Sequence, residues 1–213
     1  MGGKQEEIIA YMSRYRDSLS NSDFSYKNLS GVVIVGGTAI NADFRGAILC
    51  GADFSGADLR GADFYRADLR GANFYRAKLA WATLEHANMV GASLASADVW
   101  DADLSYADLR QANISACSLR RSILRGANLQ QASLRRAILS RTDLSYADFS
   151  GANIEDARFF QAIMDAVKFN DVEGVRWAID LPPKFAFSLS NQFNQPQKQR
   201  TGSIKPVMAA LHV

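Results

Sequence analysis

The sequence contains few of the residues that build catalytic centres and metal sites. Its 213 residues include 2 histidines and 2 cysteines. Neither His86 nor His212 has a second histidine or cysteine nearby at the spacing of metal ligands, so we expect neither a metal site nor a cofactor. The sequence also lacks a phosphate-binding glycine loop, a nucleotide fingerprint and a serine–histidine–aspartate combination. These absences predict a protein that is not an enzyme.

The sequence also lacks an excess of one charge and any long apolar segment. Lysine and arginine number 24 against 22 aspartates and glutamates, which gives a net charge of +2. A nearly neutral chain has no general attraction for nucleic acid, and we expect no nucleic-acid partner. No apolar stretch has the length of a transmembrane helix or the position of a secretory signal, so we expect no membrane association. The scarcity of cysteine indicates a reducing compartment and predicts a cytoplasmic protein.

The dominant feature that is present is a five-residue period. Every fifth residue from Phe24 to Phe169 is apolar, and the position two residues earlier is almost always alanine from Ala42 to Ala162. The exceptions in that alanine position are Cys117, Ser122 and Thr142. Neither a helix nor an ordinary strand has this period. A short fixed repeat is typical of a solenoid, in which each unit is too small to bury its apolar face alone.

The repeat unit itself identifies a family. Residues 52–56 read Ala-Asp-Phe-Ser-Gly and residues 57–61 read Ala-Asp-Leu-Arg-Gly. This pattern resembles the pentapeptide-repeat family, whose signature is Ala-Asp/Asn-Leu-X-X, and its dense form is similar to that of cyanobacterial members. The resemblance covers residues 22–169. It implies an all-β fold, a right-handed quadrilateral β-helix with four repeats per coil and about seven coils at the strand spacing.

A coil of four repeats predicts which side chains stack on one another. Phe24, Phe44 and Phe64 then form one internal ladder, and Phe54 and Phe74 form another. Aspartate and asparagine alternate at the position before the large apolar residue. Both bond neighbouring backbone in turns, so we assign them to turns rather than to catalysis or metal binding.

The two cysteines take different positions in this repeat. Cys50 lies in an outward position, whereas Cys117 replaces an inward alanine about three coils further along. Three coils correspond to roughly 15 Å, which is too far for a disulfide. We therefore expect Cys117 to be a small core residue.

Both ends of a solenoid expose core and unpaired strand edge, and therefore require a cover. Residues 1–21 are predicted to form an N-terminal capping helix, and residues 22–169 the solenoid. In the helix we expect over residues 5–19, one face carries Ile8, Met12, Tyr15 and Leu19. Residues 170–213 are predicted to form a short C-terminal helix and a partly disordered tail.

The C-terminal prediction rests on local signals. Asn170 followed by Glu173 resembles a capping box, an apolar stripe of Val172, Val175 and Ile179 follows, and Pro182-Pro183 ends it. Residues 184–193 carry apolar side chains that dock either on the last coil or on a second copy. The resemblance leaves a homodimer through this region as an open alternative. Residues 194–206 are polar and are expected to be disordered.

The period is weakest at residues 32–41. The central positions there are Ile34 and Ala39, whereas Val33, Val35 and Ile40 point outward. This segment is either a coil covered by another element or a loop that bulges out, and we favour cover by the N-terminal segment.

The unconstrained outward positions sort into columns in which each residue lies one coil from the next, and one pair of columns carries an unusual surface patch. The first contains Trp100 and Arg120, and the second contains Trp81, Arg121 and Arg141. Tryptophan and arginine are enriched at binding hot spots. These five residues are the candidate partner-binding site; the alternative is that a terminal segment covers the two tryptophans.

Three functions remain open at this point. We favour a non-enzymatic, rigid scaffold for protein–protein interaction with an unidentified protein partner, and regulation is one role open to it. The second function, which the resemblance implies, is a DNA mimic that binds or protects DNA gyrase. Residues 22–169, however, hold 16 basic and 16 acidic residues. A mimic needs the dense negative charge of phosphates, so this neutrality argues against it. The third alternative is a purely structural spacer.

Overall fold

The structure is a computed structural model that describes residues 2–182 and Phe185. The described residues up to Pro182 belong to one compact unit, which we call the first unit. Helix α1 spans Gly2–Arg14, and two short 3-10 helices span Arg16–Ser18 and Val175–Trp177. The segment between the two 3-10 helices consists of short bridges and turns that repeat at every fifth position.

Parallel pairing between each repeat and the fourth repeat after it organises the first unit. The bridges run without interruption from Asp23↔Asp43 to Asn153↔Glu173, and each repeat contributes one bridge residue. At the first of them, the Phe24 amide donates to the Asp43 carbonyl at 2.7 Å and the Asp43 amide donates to the Ser22 carbonyl at 2.9 Å. Four five-residue repeats therefore separate paired positions, which is the spacing that the family resemblance implies for one coil.

The interior consists of one large and one small apolar residue per repeat. The central residues from Phe24 to Met164 are all buried, and so are the alanines two positions earlier from Ala42 to Ala157, with Cys117, Ser122 and Thr142 in the three exceptional positions. The Ser122 and Thr142 hydroxyls donate to the carbonyls of Val99 and Leu119 at 2.7 and 2.8 Å. These two polar groups are thus buried with their hydrogen bonds made, as burial requires.

The predicted phenylalanine ladders are present. The rings of Phe44 and Phe64 stack with centroids 4.9 Å apart and planes 4° from parallel, and Phe24 stacks on Phe44 at 5.3 Å. Phe54 and Phe74 stack at 5.1 Å. Rings of the two ladders meet edge to face, with Phe54 and Phe64 6.0 Å apart. This alternation of stacked and edge-on contacts is the favourable geometry for aromatic rings.

The aspartates and asparagines hold the turns that follow the bridges. The Asp53 carboxylate accepts from the Ser55 amide at 2.9 Å, and the Asn73 side-chain carbonyl accepts from the Tyr75 amide at 3.0 Å. The same bond made by either residue type confirms the turn assignment. At four turns the carboxylate also pairs with an arginine two positions later in the sequence, a role that asparagine cannot fill: Arg45–Asp43, Arg60–Asp58, Arg70–Asp68 and Arg110–Asp108.

These pairs predict acid-sensitive stability. Hydrogen bonds from the paired arginine lower the pKa of Asp58, Asp68 and Asp108 in the folded state. A lowered folded pKa adds stability that is present above the unfolded value and is lost as the pH falls through the folded value. We expect the triple variant D58N/D68N/D108N to keep its turns, because asparagine makes the same backbone bond. Its thermal unfolding midpoint should fall less than that of wild type between pH 5 and about pH 2. Equal acid dependence of the two proteins would contradict this assignment.

The weak segment at residues 32–41 is a regular coil rather than a loop. Val33 bridges Asp53 and Thr38 bridges Asp58 in the same register as the other repeats. The N-terminal segment does not cover two of the three outward side chains, because Val33 and Val35 are 47% and 40% exposed, whereas Ile40 is half-buried. The expectation of cover is therefore wrong for these two residues.

The N-terminal segment contacts this coil at a glycine instead. Gly37 occupies a position that holds alanine in most repeats, and a Cβ atom there would lie 2.6 Å from the Arg16 carbonyl oxygen. That carbonyl accepts from the Thr38 amide at 2.6 Å. The missing methyl group lets the backbone before the first coil approach closely enough to pair.

The predicted apolar face of the N-terminal helix is only partly correct. Helix α1 ends at Arg14, so Tyr15 and Leu19 lie beyond it. Met12 and Leu19 are buried, but Tyr15 is 45% exposed. Leu19 has the burial of a central repeat residue, and its amide donates to the Thr38 carbonyl at 3.0 Å, so pairing begins before residue 22.

Over residues 170–182, the predicted C-terminal helix is reduced to the 3-10 helix Val175–Trp177. Glu173 continues the solenoid, because its amide donates to the Ala152 carbonyl at 2.8 Å and its carbonyl accepts from Ile154. The capping-box interpretation of Glu173 is therefore wrong. The next bridge, Arg158↔Ile179, has one more residue between its partners than the others, and the 3-10 helix Val175–Trp177 accommodates the extra residue. The predictions for residues 184–193 and 194–206 lie outside the described residues, apart from Phe185.

Candidate functional site

The second residue of each turn projects from a left-handed backbone conformation. Glycines take this position in many repeats, for example Gly46 and Gly61, with φ of 60° and 68°. Trp81, Arg121 and Arg141 take the equivalent position with φ of 60°, 59° and 60°. Because the turns repeat with every coil, these side chains lie in one outward column, and the first turn residues form the column beside it.

The two tryptophans of the candidate site form a pair. The rings of Trp81 and Trp100 meet edge to face with their centroids 4.2 Å apart. Trp81 is 54% exposed, and Trp100 is half-buried. Ala80 precedes Trp81 in the same turn and lies in the column of Trp100, one coil earlier, but it is buried although that column faces outward. The tryptophans therefore present one aromatic surface to solvent.

Arg121 is neutralised by a carboxylate one coil earlier. Its Nε donates to Asp101 Oδ1 at 2.8 Å and its second guanidinium nitrogen binds Asp101 Oδ2 at 2.5 Å. The hydrogen bonds to Asp101 raise the pKa of Arg121. The guanidinium also lies 5.9 Å from the centroid of the Trp100 ring, within range of a cation–π contact. Arg121 thus helps to hold the aromatic surface in place.

Arg120 and Arg141 carry positive charge that no carboxylate of the described residues offsets. The Arg141 Nε donates to the neutral amide oxygen of Gln161 at 2.9 Å. Within residues 2–182, the Arg120 side chain has no hydrogen bond, ion pair or ring contact. Both side chains are exposed. They therefore provide two guanidinium groups with donors available for a ligand.

A groove of about 670 Å³ joins these side chains into one site. Its wall continues past the tryptophan pair to a second aromatic residue, Phe160, which is 48% exposed. The groove is lined by Asp98, Trp100, Ser118, Arg120, Arg121, Ser140, Arg141 and Phe160. Its volume lies within the range of ligand sites in proteins. We call it the Trp–Arg groove.

The repeats match a known family over most of the solenoid. The profile described as pentapeptide repeats (8 copies) matches residues 40–74, 72–111, 102–141 and 122–161, which together span more than half of the chain. The chain belongs to the pentapeptide repeat family. The resemblance inferred from the repeat unit is thereby confirmed.

Solved structures of other pentapeptide repeat proteins are similar to this chain. One is HetL, involved in heterocyst differentiation regulation in the cyanobacterium Nostoc sp. strain PCC 7120, with 25% identity over 79% of this chain and 93% of HetL and a TM-score of 0.37. A thylakoid-lumen protein of Arabidopsis thaliana shares 32% identity over 59% of this chain and 72% of its own, with a TM-score of 0.36. QnrB1, a plasmid-mediated fluoroquinolone resistance protein, shares 22% identity over 84% of this chain and 97% of its own, with a TM-score of 0.41. No curated protein sequence matches this chain significantly.

The structure brings together four of the five residues predicted for the site and adds others. Trp100, Arg120, Arg121 and Arg141 all line the Trp–Arg groove, whereas Trp81 joins it through its contact with Trp100. The prediction omitted Phe160, Ser140, Ser118 and Asp98. The column of Trp100 and Arg120 continues in the sequence to Ser140 and Phe160. That column was therefore a sufficient signal for these two residues.

Metal ligands, membrane-spanning helices and thiols are the other features that bear on function. Among the described residues, no group of three or more histidines, cysteines, aspartates or glutamates is placed to hold a metal ion. No described helix is long and apolar enough to cross a membrane. Cys50 is half-buried and Cys117 is buried, and both thiols are free.

Proposed function

We propose that this pentapeptide repeat protein is a non-enzymatic scaffold in the cytoplasm that binds a protein partner through the Trp–Arg groove. The observation that carries the proposal is the combination of solvent-facing aromatic rings with two arginines that lack a carboxylate partner among the described residues. Exposed tryptophan and arginine side chains dominate the energetics of many protein interfaces. The family supports a right-handed quadrilateral β-helix of about seven coils as the rigid support for this groove.

The charge of the remaining surface supports a protein partner over topoisomerase mimicry. Asp43, Asp58, Asp68 and Asp108 each pair with an arginine of the same turn. Since a DNA mimic needs unneutralised negative charge in place of phosphates, these pairs weaken that alternative.

A photo-crosslinker placed at Ser140, inside the groove, tests the proposed function. Ser55 is a suitable control position because it is a half-exposed first turn residue in a different column. We expect specific crosslinked protein from cells of the source organism at Ser140 and none at Ser55. Failure to crosslink any protein specifically at Ser140 would favour the structural spacer.

The double variant W81A/W100A provides the quantitative part of this test. We expect it to reduce crosslinking at Ser140 at least about tenfold, since two hot-spot side chains are removed. The matched control is Y106A/Y146A, which removes two tyrosines from another column that are 52% and 57% exposed. Equal loss in both variants would contradict a role specific to the groove.

A further inference from the structure

We propose that the Trp–Arg groove binds an acidic segment of the partner protein, with carboxylates bound to Arg120 and Arg141 and an apolar side chain against the aromatic rings. This inference rests on the proposed function and adds the chemistry of the partner. It follows from the distribution of charge, the spacing of the aromatic rings and the polarity of the groove.

Most of the arginines in this part of the chain already contact a carboxylate or an aromatic ring of another described residue. The sequence places six arginines between residues 120 and 141. Three of these pair with carboxylates on an adjacent coil: Arg121–Asp101, Arg135–Glu155 and Arg136–Asp156. A fourth, Arg125, lies 4.9 Å from the centroid of the Tyr146 ring. The two that remain, Arg120 and Arg141, both line the groove.

A guanidinium group binds a carboxylate with paired, charge-assisted hydrogen bonds. Arg120 and Arg141 lie in adjacent columns and on successive coils, which are about 4.8 Å apart along the solenoid. Two carboxylates on one short segment can therefore reach both arginines. A segment without negative charge would leave both guanidinium groups unpaired beneath it, and this would cost affinity.

The aromatic residues set the length of the segment. Trp100 and Phe160 are three coils apart in one column, which corresponds to roughly 14 Å. An extended segment of about four residues spans this distance. An apolar side chain within that segment would contact the aromatic walls while its acidic neighbours reach the arginines.

The two ends of the groove also differ in charge. Asp98 lies on the coil of Trp100, and its carboxylate makes no hydrogen bond or ion pair with the described residues. Arg141 lies two coils further along. The groove is therefore negative near Trp100 and positive towards Phe160, so the carboxylates of the bound segment face the Phe160 end and its amide donors face Asp98.

The side chains of the chain's own C-terminal segment do not supply this ligand's charge. Residues 184–213 contain no aspartate or glutamate, and their charged side chains are Lys184, Lys198, Arg200 and Lys205. A nucleic acid would place phosphates along the whole groove, where Asp98 would oppose them. An acidic protein segment is the ligand that fits both ends.

The test measures fluorescence anisotropy of a labelled synthetic peptide of about eight residues, carrying two adjacent glutamates and one phenylalanine, with the full chain. A second peptide has glutamine in place of both glutamates, and a third has alanine in place of phenylalanine. We expect the first peptide to bind at least about tenfold more tightly than either other peptide. We also expect R120Q/R141Q to bind it at least about tenfold more weakly than wild type.

The matched control is R66Q/R76Q, which removes the same net charge from exposed arginines that lie over Tyr65 and Tyr75. Glutamine suits these turn positions, because Gln161 has a φ of 56° in the equivalent place. Equal weakening in both variants, equal binding of the glutamine peptide, or no binding of the acidic peptide would overturn the inference. Tighter, competing binding of a DNA oligonucleotide would also overturn it. In each of these cases, specific crosslinking of a protein at Ser140 would leave the proposed function standing.

Discussion

Replacing Phe64 with alanine is expected to lower the free energy of unfolding by about 3–5 kcal/mol. Phe64 is fully buried and stacks on Phe44 at 4.9 Å. Its ring also meets Phe54 and Phe74 edge-on at 6.0 and 5.9 Å. The variant removes these contacts and leaves a cavity that successive coils, held by backbone pairing, cannot close. Urea denaturation followed by circular dichroism measures the loss.

The control for Phe64 is Tyr146→Ala, because the Tyr146 side chain is 57% exposed. We expect this variant to lose less than about 1 kcal/mol, as is usual for surface positions. A loss below about 1 kcal/mol for Phe64→Ala would mean that the aromatic ladder is not a packed core.

The second large effect is a difference in thiol reactivity. We expect native Cys50 to react with iodoacetamide at least about 100-fold faster than Cys117, because a buried thiol reacts only after local opening. Cys117 is fully buried, and burial raises the pKa of its thiol. Partial burial also raises the pKa of Cys50, but its sulfur is accessible enough to accept a hydrogen bond from the exposed Arg70 at 3.6 Å. Mass spectrometry should therefore find one modified thiol in the native protein and two in urea.

Two variants separate these thiols. Cys50→Ser should abolish the fast reaction, and Cys117→Ala should leave it unchanged, since alanine fits the same position in neighbouring repeats. Rapid modification of both thiols in the native wild-type protein would contradict the buried position of Cys117.

The repeating part of this fold was predictable from sequence because one rule applies at every repeat. A large residue at every fifth position and a coil of four repeats suffice to predict the stacking of Phe44 on Phe64 and the burial of Cys117. Glu173 still follows this rule, because it bridges Asn153 at the regular spacing although its local sequence resembles a helix cap. The rule fails only at the next bridge, Arg158↔Ile179, where the 3-10 helix Val175–Trp177 adds one residue and shifts the pairing.

The candidate site was predictable only to the level of its columns. Tryptophan and arginine could be assigned to one face from the coil length. Which arginines are neutralised depends on the position of the partner, which lies in the same turn for Arg60 and on the preceding coil for Arg121. An inventory of charges along the sequence does not distinguish Arg120 from Arg121, although only Arg121 is bound to a carboxylate among the described residues, that of Asp101.

The most direct test of the central claim is a nuclear magnetic resonance titration that follows the tryptophan indole N–H signals. The chain has 3 tryptophans: Trp81 and Trp100 at the groove, and Trp177 in the second 3-10 helix, 56% exposed. On addition of the crosslinked partner, or of the acidic peptide, the signals of Trp81 and Trp100 should shift while that of Trp177 stays in place. Unchanged Trp81 and Trp100 signals with a bound partner would contradict the Trp–Arg groove as its binding site.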